Sequence, residues 1–205
     1  MPPATTRTVG YGWARSMGIY YIRKVTSQPS LLIPHLSPLT YPVHDVQAIT
    51  QLASGQIAVG TAFGLKFITP GDDRVKDLNY APSGTTDVNP FVTHLLMAGL
   101  ELWIATDGGG VYVYHLAKHE SRQLTIANGL PSNYVRSLAR SDDGRIWIAT
   151  DKGLSFVMPD KPTEVLNANY CYGLDSEYSR GAVTCLAGGD LLFGTTTLLA
   201  FKLFS

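Results

Sequence analysis

Apolar residues along the chain fall into short alternating runs, and the pattern recurs about every 45 residues. A run such as Val-Tyr-Val-Tyr at Val111 recurs in each period, and a second apolar run precedes it. Two of the second runs are nearly identical, LWIATDG at residues 102–108 and IWIATDKG at residues 146–153. Because alternation with a period of two is typical of half-buried strands, the pattern predicts β-structure throughout.

A third apolar segment lies upstream of four of these runs and is joined to them by hairpin-type turns. The turns contain Gly or Asp-Gly, as in SDDGR at residues 141–145, and such turns favour antiparallel hairpins. A fourth, weaker segment follows each long run. The repeating unit is therefore four short antiparallel strands, and its innermost strand begins at Val46, Val92, Val135 and Val183.

A long period built from four antiparallel strands is typical of a β-propeller blade, since one such sheet must stack on its neighbours to cover its faces. We predict an all-β fold in which residues 1–205 form a single β-propeller domain of about five blades. The units cover about residues 8–38, 43–82, 89–127, 133–170 and 182–205.

The first and last units are incomplete, because the first lacks its innermost strand and the last lacks its outermost strand. The chain then forms either a five-bladed ring with two thin blades or an open arc completed by missing sequence or by a second copy. The pattern favours a fragment of a larger propeller. Unpaired strand edges invite pairing with another chain, so self-association through blade edges is expected.

Charge and composition exclude several classes of function. Sixteen basic and sixteen acidic residues give a net charge of zero, so nucleic acid is not an expected partner. No apolar run reaches the roughly 20 residues that cross a bilayer, so this chain does not insert into a membrane. The N-terminus has no signal-peptide pattern, and the protein either stays inside the cell or is a piece of a longer chain.

Residues 128–157 closely resemble the two-component regulator propeller repeat. The match rests on a Gly-Leu, a Val-x-Ser-Leu strand, an Asp-Gly turn, a Trp-Ile-x-Thr strand and a second Gly-Leu. The matching positions are Gly129, Leu130, Val135, Ser137, Leu138, Asp142, Asp143, Gly144, Trp147, Ile148, Thr150, Gly153 and Leu154. Residues 172–201 look like the degenerate last blade of such domains, with Gly173, Leu174, Tyr178, Gly181, Ala182, Phe193, Gly194 and Phe201 in the expected places.

This resemblance implies a ligand-sensing domain of a signalling receptor, usually on the periplasmic side of the membrane. Such domains precede a β-sandwich, a membrane span and a kinase or diguanylate cyclase. Among relatives the ligands are oligosaccharides and the propeller works as a dimer. The expected partners are therefore a small-molecule or oligosaccharide ligand and a second copy.

Two kinds of loop should meet at one end of the blades, namely those that enter the innermost strand and those that join the second and third strands. Sugar recognition needs aromatic faces and planar polar groups, and these loops carry both. The candidate ligand-binding residues are Asp45, Phe91, Asp107, Tyr134, Asp151, Tyr178 and Arg180. The alternatives are turn aspartates that bond their own backbone at Asp107 and Asp151, and packing between blades at Tyr134 and Tyr178.

The remaining motifs predict structure rather than chemistry. Trp103 and Trp147 recur in the second strand, which indicates a core role. Cys171 and Cys185 are too few for a four-ligand metal site, and their pairing is left open. Cys185 falls on an innermost strand at the place that Ala48, His94 and Ser137 fill in other units, which predicts a small buried side chain. We expect no cofactor and assign no metal ligand and no catalytic residue.

Three functions remain open. The first is a ligand-sensing module of a receptor. The second is a structural or protein-interaction propeller, motivated by the unpaired blade edges. The third is a propeller glycosidase or lyase, for which Asp107 and Asp151 would be the natural carboxylate pair.

Overall fold

Four antiparallel sheets account for the strands of the computed structural model, which describes residues 45–69, 75–85, 89–169, 174–186, 189–196 and 201–203. The first sheet contains β1 (Val46–Gln51), β2 (Ile57–Thr61), β3 (Gly64–Ile68) and β4 (Val75–Leu78). The second contains β5 (Val92–Ala98), β6 (Glu101–Thr106), β7 (Val111–His115) and β8 (Glu120–Leu124).

The third sheet is preceded by a 3-10 turn at Ile126–Asn128. It contains β9 (Val135–Arg140), β10 (Ile146–Thr150), β11 (Gly153–Met158) and β12 (Lys161–Asn167). The fourth contains three strands, β13 (Tyr178–Cys185), β14 (Leu191–Thr195) and β15 (Phe201–Leu203). The predicted unit at residues 8–38 lies outside the described residues.

Strands within each sheet follow chain order, so every sheet is an antiparallel meander. The first strands of the four sheets pack together: β1 contacts β5, β5 contacts β9, and β9 contacts β13. Strand β13 also contacts β5, which brings three first strands to a common centre. Four meanders arranged in this way are propeller blades, and the predicted all-β fold class is confirmed.

Apolar side chains fill the space between consecutive sheets. One cluster joins the second and third sheets through Trp103, Ile148 and Val157, and a second joins the third and fourth through Trp147 and Phe193. The predicted core role of both tryptophans is confirmed, because Trp103 and Trp147 are 2% and 3% exposed. A lone sheet of this kind would leave both faces in water, so the stacking supplies most of the hydrophobic stabilisation.

A buried threonine ends the second strand of three sheets and explains the repeated Ala-Thr or Gly-Thr pair. Its hydroxyl donates a hydrogen bond to a glycine carbonyl across the following turn, which satisfies the hydroxyl inside the core. The three bonds are Thr61 Oγ1 to Gly64 O at 2.9 Å, Thr106 Oγ1 to Gly110 O at 2.8 Å and Thr150 Oγ1 to Gly153 O at 2.9 Å.

The register of β13 corrects one prediction. The sequence pattern placed Cys185 where other blades have Ala48, His94 or Ser137. In the structure Cys185 pairs with Leu191 at the far end of the strand, and its thiol is free and exposed. Ala182 takes the predicted place, since a Cβ on Gly194 would lie 2.9 Å from the Cβ of Ala182. The shift arises because the register slips between Tyr178 and Val183, where β13 has a bulge.

Candidate functional site

The two kinds of loop named above lie side by side in every described sheet, as expected. One backbone hydrogen bond repeats in each sheet and ties the loop after the second strand to the loop before the first. The four bonds are Ala62 N to Asp45 O, Asp107 N to Phe91 O, Asp151 N to Tyr134 O and Thr196 N to Glu177 O, with lengths of 3.2, 3.0, 3.2 and 3.0 Å. We call this end of the four sheets the loop face.

Asp107 is the centre of a charged cluster on the loop face. It follows β6, and both of its carboxylate oxygens are engaged. Oδ1 accepts a hydrogen bond from Nη1 of Arg136 at 3.1 Å, and Oδ2 accepts one from Nη2 of Arg180. The three residues belong to three successive sheets, so the ion pairs join side chains that are distant in sequence.

The bulge in β13 explains how Arg180 reaches Asp107. The bulge of β13 contains three residues, Ser179 to Gly181, whereas the first strand of each other sheet has a single unpaired residue at this place. Gly181 adopts a left-handed φ of +65° there. Arg180 lies in this bulge, and its guanidinium reaches Asp107 of the second sheet. Its guanidinium carbon lies 5.1 Å from the centroid of the Phe91 ring, within the range of a cation–π contact.

Tyr134 provides an exposed aromatic surface beside this cluster. It is 49% exposed, and its backbone forms an isolated β-bridge with Asp107. Gly108 follows Asp107 with a left-handed φ of +110°, and a Cβ there would lie only 3.2 Å from the side-chain amide nitrogen of Asn89. The loop face therefore carries an exposed aromatic ring on the residue whose backbone pairs with Asp107, and Asp107 binds both guanidinium groups.

Tyr178 lies apart from this surface. It is 1% exposed and packs edge-on against Phe193, with ring centroids 6.0 Å apart. Burial, together with the charge of Asp175, raises the pKa of Tyr178 to about 12. Tyr178 belongs to the apolar cluster that also contains Trp147 and Leu154 of the third sheet, which agrees with the alternative of packing between blades.

Asp45 and Asp151 lie on the loop face but are not joined to the cluster by the described contacts. Asp45 is exposed, with a left-handed φ of +52°, and its carbonyl accepts the repeated loop hydrogen bond. Asp151 is half-buried, and its Oδ1 is buried without a hydrogen-bond partner among the described residues. Of the predicted residues, the structure thus brings together Asp107, Tyr134, Phe91 and Arg180.

Sequence reasoning missed Arg136. It lies in β9 at the bulge between Val135 and Ser137, and the charge between two buried positions of a strand is the signal that the sequence offers. Asn89 and Asn133 were also not assigned to the cluster. The amide of Asn89 donates to Asp107 O at 2.9 Å, and the carbonyl of Asn133 accepts from Gly108 N at 3.1 Å, so both fix the loop that carries Asp107.

This arrangement can bind a polar ligand that has an apolar face. The two arginines offer planar N–H donors, and Tyr134 and Phe91 offer ring surfaces. No group of three or more His, Cys, Asp or Glu side chains suited to a metal ion occurs in the described part of the chain. Within the same residues, no helix has the length and apolar character needed to cross a membrane.

The fold defines the chain as a set of β-propeller blades. Residues 129–152 match the model of the family described as "Two component regulator propeller". The resemblance to this repeat is therefore confirmed over β9, β10 and the loop that precedes them. Comparison with curated protein sequences gives no match.

Solved structures share the fold at low identity. Two are extracellular domains from B. thetaiotaomicron, one assigned to a hybrid two component system (21% identity, TM-score 0.66) and one to a one component system (16%, 0.66). Each alignment covers 81% of this chain but only 22% and 26% of those domains, so the chain spans about a quarter of their length. A virginiamycin B lyase from Staphylococcus aureus is also similar, with 14% identity and a TM-score of 0.56 over 77% of this chain and 55% of the lyase.

Proposed function

We propose that this chain is part of a ligand-sensing β-propeller of a two-component-type receptor, and that its loop face binds an oligosaccharide. The regulator-propeller repeat at residues 129–152 supports the receptor class. The extracellular origin of similar structures supports a periplasmic position. Ligand, receptor and location are all part of the proposal.

The main support for this proposal is that side chains from three sheets meet at Asp107. Arg180 stacks on Phe91 and pairs with Asp107, while Tyr134 lies exposed beside them. Sugars are bound through ring faces that contact aromatic side chains and through hydroxyls that pair with planar polar groups. A ligand held by Tyr134 and Arg180 would contact the third and fourth sheets at once, so binding could bias their relative position.

A thermal-shift screen against tetrasaccharides of glucose, xylose, arabinose, galactose and galacturonic acid tests this function. We expect at least one of them to raise the melting temperature in a saturable way, since a ligand that binds only the folded state stabilises it. Tyr134→Ala should reduce the affinity for that sugar about tenfold, because it removes the exposed ring.

The control for Tyr134→Ala is Leu100→Ala. Leu100 is similarly exposed, at 56%, but lies in the turn between β5 and β6 at the opposite end of the sheets. Leu100→Ala should leave the sugar affinity unchanged. If no tetrasaccharide stabilises the protein, or if both variants lose affinity equally, a sugar site on the loop face is contradicted.

The enzyme alternative has a specific structural difficulty. Asp107, one of the two candidate carboxylates, already accepts hydrogen bonds from two guanidinium groups, which suits positioning better than proton transfer. Incubation of the protein with each tetrasaccharide should therefore yield no new reducing ends and no unsaturated products. Formation of either product would replace the sensor proposal by a glycosidase or lyase.

A further inference from the structure

Two aromatic side chains of the loop face are exposed to solvent. Phe63 is 69% exposed and Tyr134 is 49% exposed, and no other aromatic side chain whose burial the structure describes is exposed. Tyr134 belongs to the proposed sugar site, whereas Phe63 has no part in it. Phe63 lies in the turn between β2 and β3 of the first sheet. The cluster around Asp107 therefore does not explain the exposed ring of Phe63.

The turn that carries Phe63 does not depend on its ring. The hydroxyl of Thr61 donates to Gly64 O at 2.9 Å and accepts from the amide of Phe63 at 3.0 Å. The third sheet has a turn of the same length with Lys152 in place of Phe63, and the amide of Lys152 donates to the hydroxyl of Thr150 at 3.1 Å. Because a lysine at the equivalent position makes the same backbone hydrogen bond, the phenyl ring is not needed to hold the turn and is available for binding.

Asp45 lies beside the turn that carries Phe63. Its carbonyl accepts the repeated loop hydrogen bond from the amide of Ala62, the residue before Phe63, at 3.2 Å. The side chain of Asp45 is exposed, and its carboxylate has no ion pair or hydrogen bond among the described residues. The first sheet thus presents an exposed ring and an unpaired carboxylate on hydrogen-bonded backbone segments of the loop face.

The ring of Tyr134 lies at the equivalent turn of the neighbouring sheet. Its Cε1 atom is 3.6 Å from the position of a Cβ built on Gly108. Gly108 follows Asp107 as Phe63 follows Ala62, and the amides of Asp107 and Ala62 both donate the repeated loop hydrogen bond. The two exposed rings are therefore found at corresponding turns of the first and second sheets.

The first and second sheets pack closely, so these two turns are neighbours. Gly60 in β2 touches β5, because a Cβ there would lie 2.4 Å from Cγ1 of Val92. Sheets packed face to face are about 10 Å apart. One sugar ring is too short to contact both aromatic rings across such a distance, whereas an oligosaccharide can contact both. Gly108 places no side chain between them.

We propose that Phe63 and Asp45 form a second sugar-binding subsite on the loop face, and that the ligand is a neutral oligosaccharide that extends from Tyr134 to Phe63. A sugar ring packs on the phenyl face of Phe63, and its hydroxyls donate to the carboxylate of Asp45. This carboxylate repels a uronic acid, so the sugar unit at the subsite is uncharged. The inference rests on the sugar-binding function proposed above and adds the length and the charge of the ligand.

The test is isothermal titration calorimetry of the whole chain with the disaccharide and the tetrasaccharide of glucose, xylose, arabinose and galactose. We expect at least one tetrasaccharide to bind about tenfold more tightly than its own disaccharide, because only the longer chain contacts both rings. Phe63→Ala should reduce the affinity for that tetrasaccharide about tenfold. The advantage of the tetrasaccharide over the disaccharide should then disappear.

Three control variants separate the aromatic ring from other effects. Phe63→Tyr keeps an aromatic face and should retain the affinity within about twofold. Phe63→Leu keeps the apolar bulk without the ring and should lose as much affinity as Phe63→Ala. Leu100→Ala, which removes an exposed apolar side chain at the opposite end of the sheets, should lose none. Unliganded Phe63→Ala should keep the melting temperature of the wild type, since Thr61 and Gly64 hold the turn.

Asp45→Asn tests the role of the carboxylate. Asp45 adopts a left-handed φ of +52°, and asparagine tolerates this conformation as well as aspartate does, so the variant changes the charge and preserves the backbone. It should weaken binding of the neutral tetrasaccharide about threefold, because a hydroxyl donates a stronger hydrogen bond to a charged acceptor.

Four results would overturn the proposal. They are an unchanged tetrasaccharide affinity in Phe63→Ala, full affinity in Phe63→Leu, an unchanged affinity in Asp45→Asn, and a galacturonic acid tetrasaccharide that binds more tightly than every neutral one. A lower sedimentation coefficient of Phe63→Ala with unchanged sugar binding would assign the ring to an interface between copies of the chain.

Failure of this subsite differs from failure of the proposed function. If Tyr134→Ala loses affinity for a sugar and Phe63→Ala does not, the loop face binds that sugar without the second subsite. If no sugar binds the wild type, the proposed function itself is contradicted and the subsite with it.

Discussion

Ser141 supplies the hydrogen-bond acceptor that the buried indole N–H of Trp147 needs. Its hydroxyl accepts the indole N–H of Trp147 and donates to Oδ1 of Asp143 at 2.5 Å. Burial acts to raise the pKa of Asp143, but the hydrogen bond from Ser141 and the hydrogen bonds and charge of Arg145 together outweigh it and lower that pKa below its usual value. The register places Ala98 at the same position in the preceding blade, and there Nε1 of Trp103 has no acceptor among the described residues.

We expect Ser141→Ala to lower the free energy of unfolding by about 1–2 kcal/mol, because it leaves the buried donor of Trp147 unsatisfied. Urea denaturation at pH 7 measures the loss. Ser54→Ala is the control, since Ser54 is exposed in the β1–β2 turn and its hydroxyl bonds only the side chain and the backbone amide of Gln56 among the described residues. A loss for Ser141→Ala no greater than that for Ser54→Ala would show that the bond to Trp147 contributes nothing.

Hydrogen bonds between the first strands of neighbouring blades link β5 to β9. Oγ1 of Thr93 donates to Val135 O at 2.8 Å, and the amide of Leu138 donates to Nδ1 of His94 at 3.3 Å. An imidazole nitrogen accepts a hydrogen bond only when it carries no proton. Burial lowers the pKa of His94 in the folded chain, which agrees with a neutral ring at this position.

Stability should therefore fall as the pH drops below about 6.5, the pKa of histidine in an unfolded chain. As the pH falls, histidine in the unfolded chain binds a proton before His94 does in the folded chain, because the folded pKa is the lower one. Neutral His94 therefore makes its full contribution to the free energy of unfolding above about pH 6.5, and that contribution is lost as the pH falls towards the folded pKa. Urea denaturation between pH 7.5 and 5.5 measures the effect. Carboxylates change little in this window.

His94→Asn is the informative variant, since its side-chain oxygen can accept from Leu138 without titrating. It should flatten the dependence of unfolding free energy on pH. An unchanged slope in His94→Asn would assign the dependence to other groups.

The strands and their order could be predicted from the repeat because hydrophobic alternation and turn residues are local signals. The bulge in β13 could not, since its extra residues Ser179 to Gly181 are visible only once the strand is paired with β14. That bulge decides both the displacement of Cys185 and the reach of Arg180. Arg136 was missed for a related reason, because its partner Asp107 lies 29 positions away in another blade.

At the scale of the whole molecule, the described sheets form part of a propeller whose fourth sheet ends in a short strand, β15. In the other three sheets the third strand pairs with a fourth strand, and β15 has no such partner among the described strands. Self-association through blade edges stays a prediction, and sedimentation velocity at two protein concentrations tests it. We expect the sedimentation coefficient to rise with concentration. A constant monomeric value up to about 100 μM would contradict pairing through the blade edges.

The most direct test of a sugar-binding loop face is a crystal structure of the chain with the tetrasaccharide that gives the largest thermal shift. We expect a sugar ring against the exposed face of Tyr134 and a hydroxyl within hydrogen-bond distance of Arg180. Density for the sugar anywhere else, with the Asp107 cluster unchanged and free of ligand, would contradict the account.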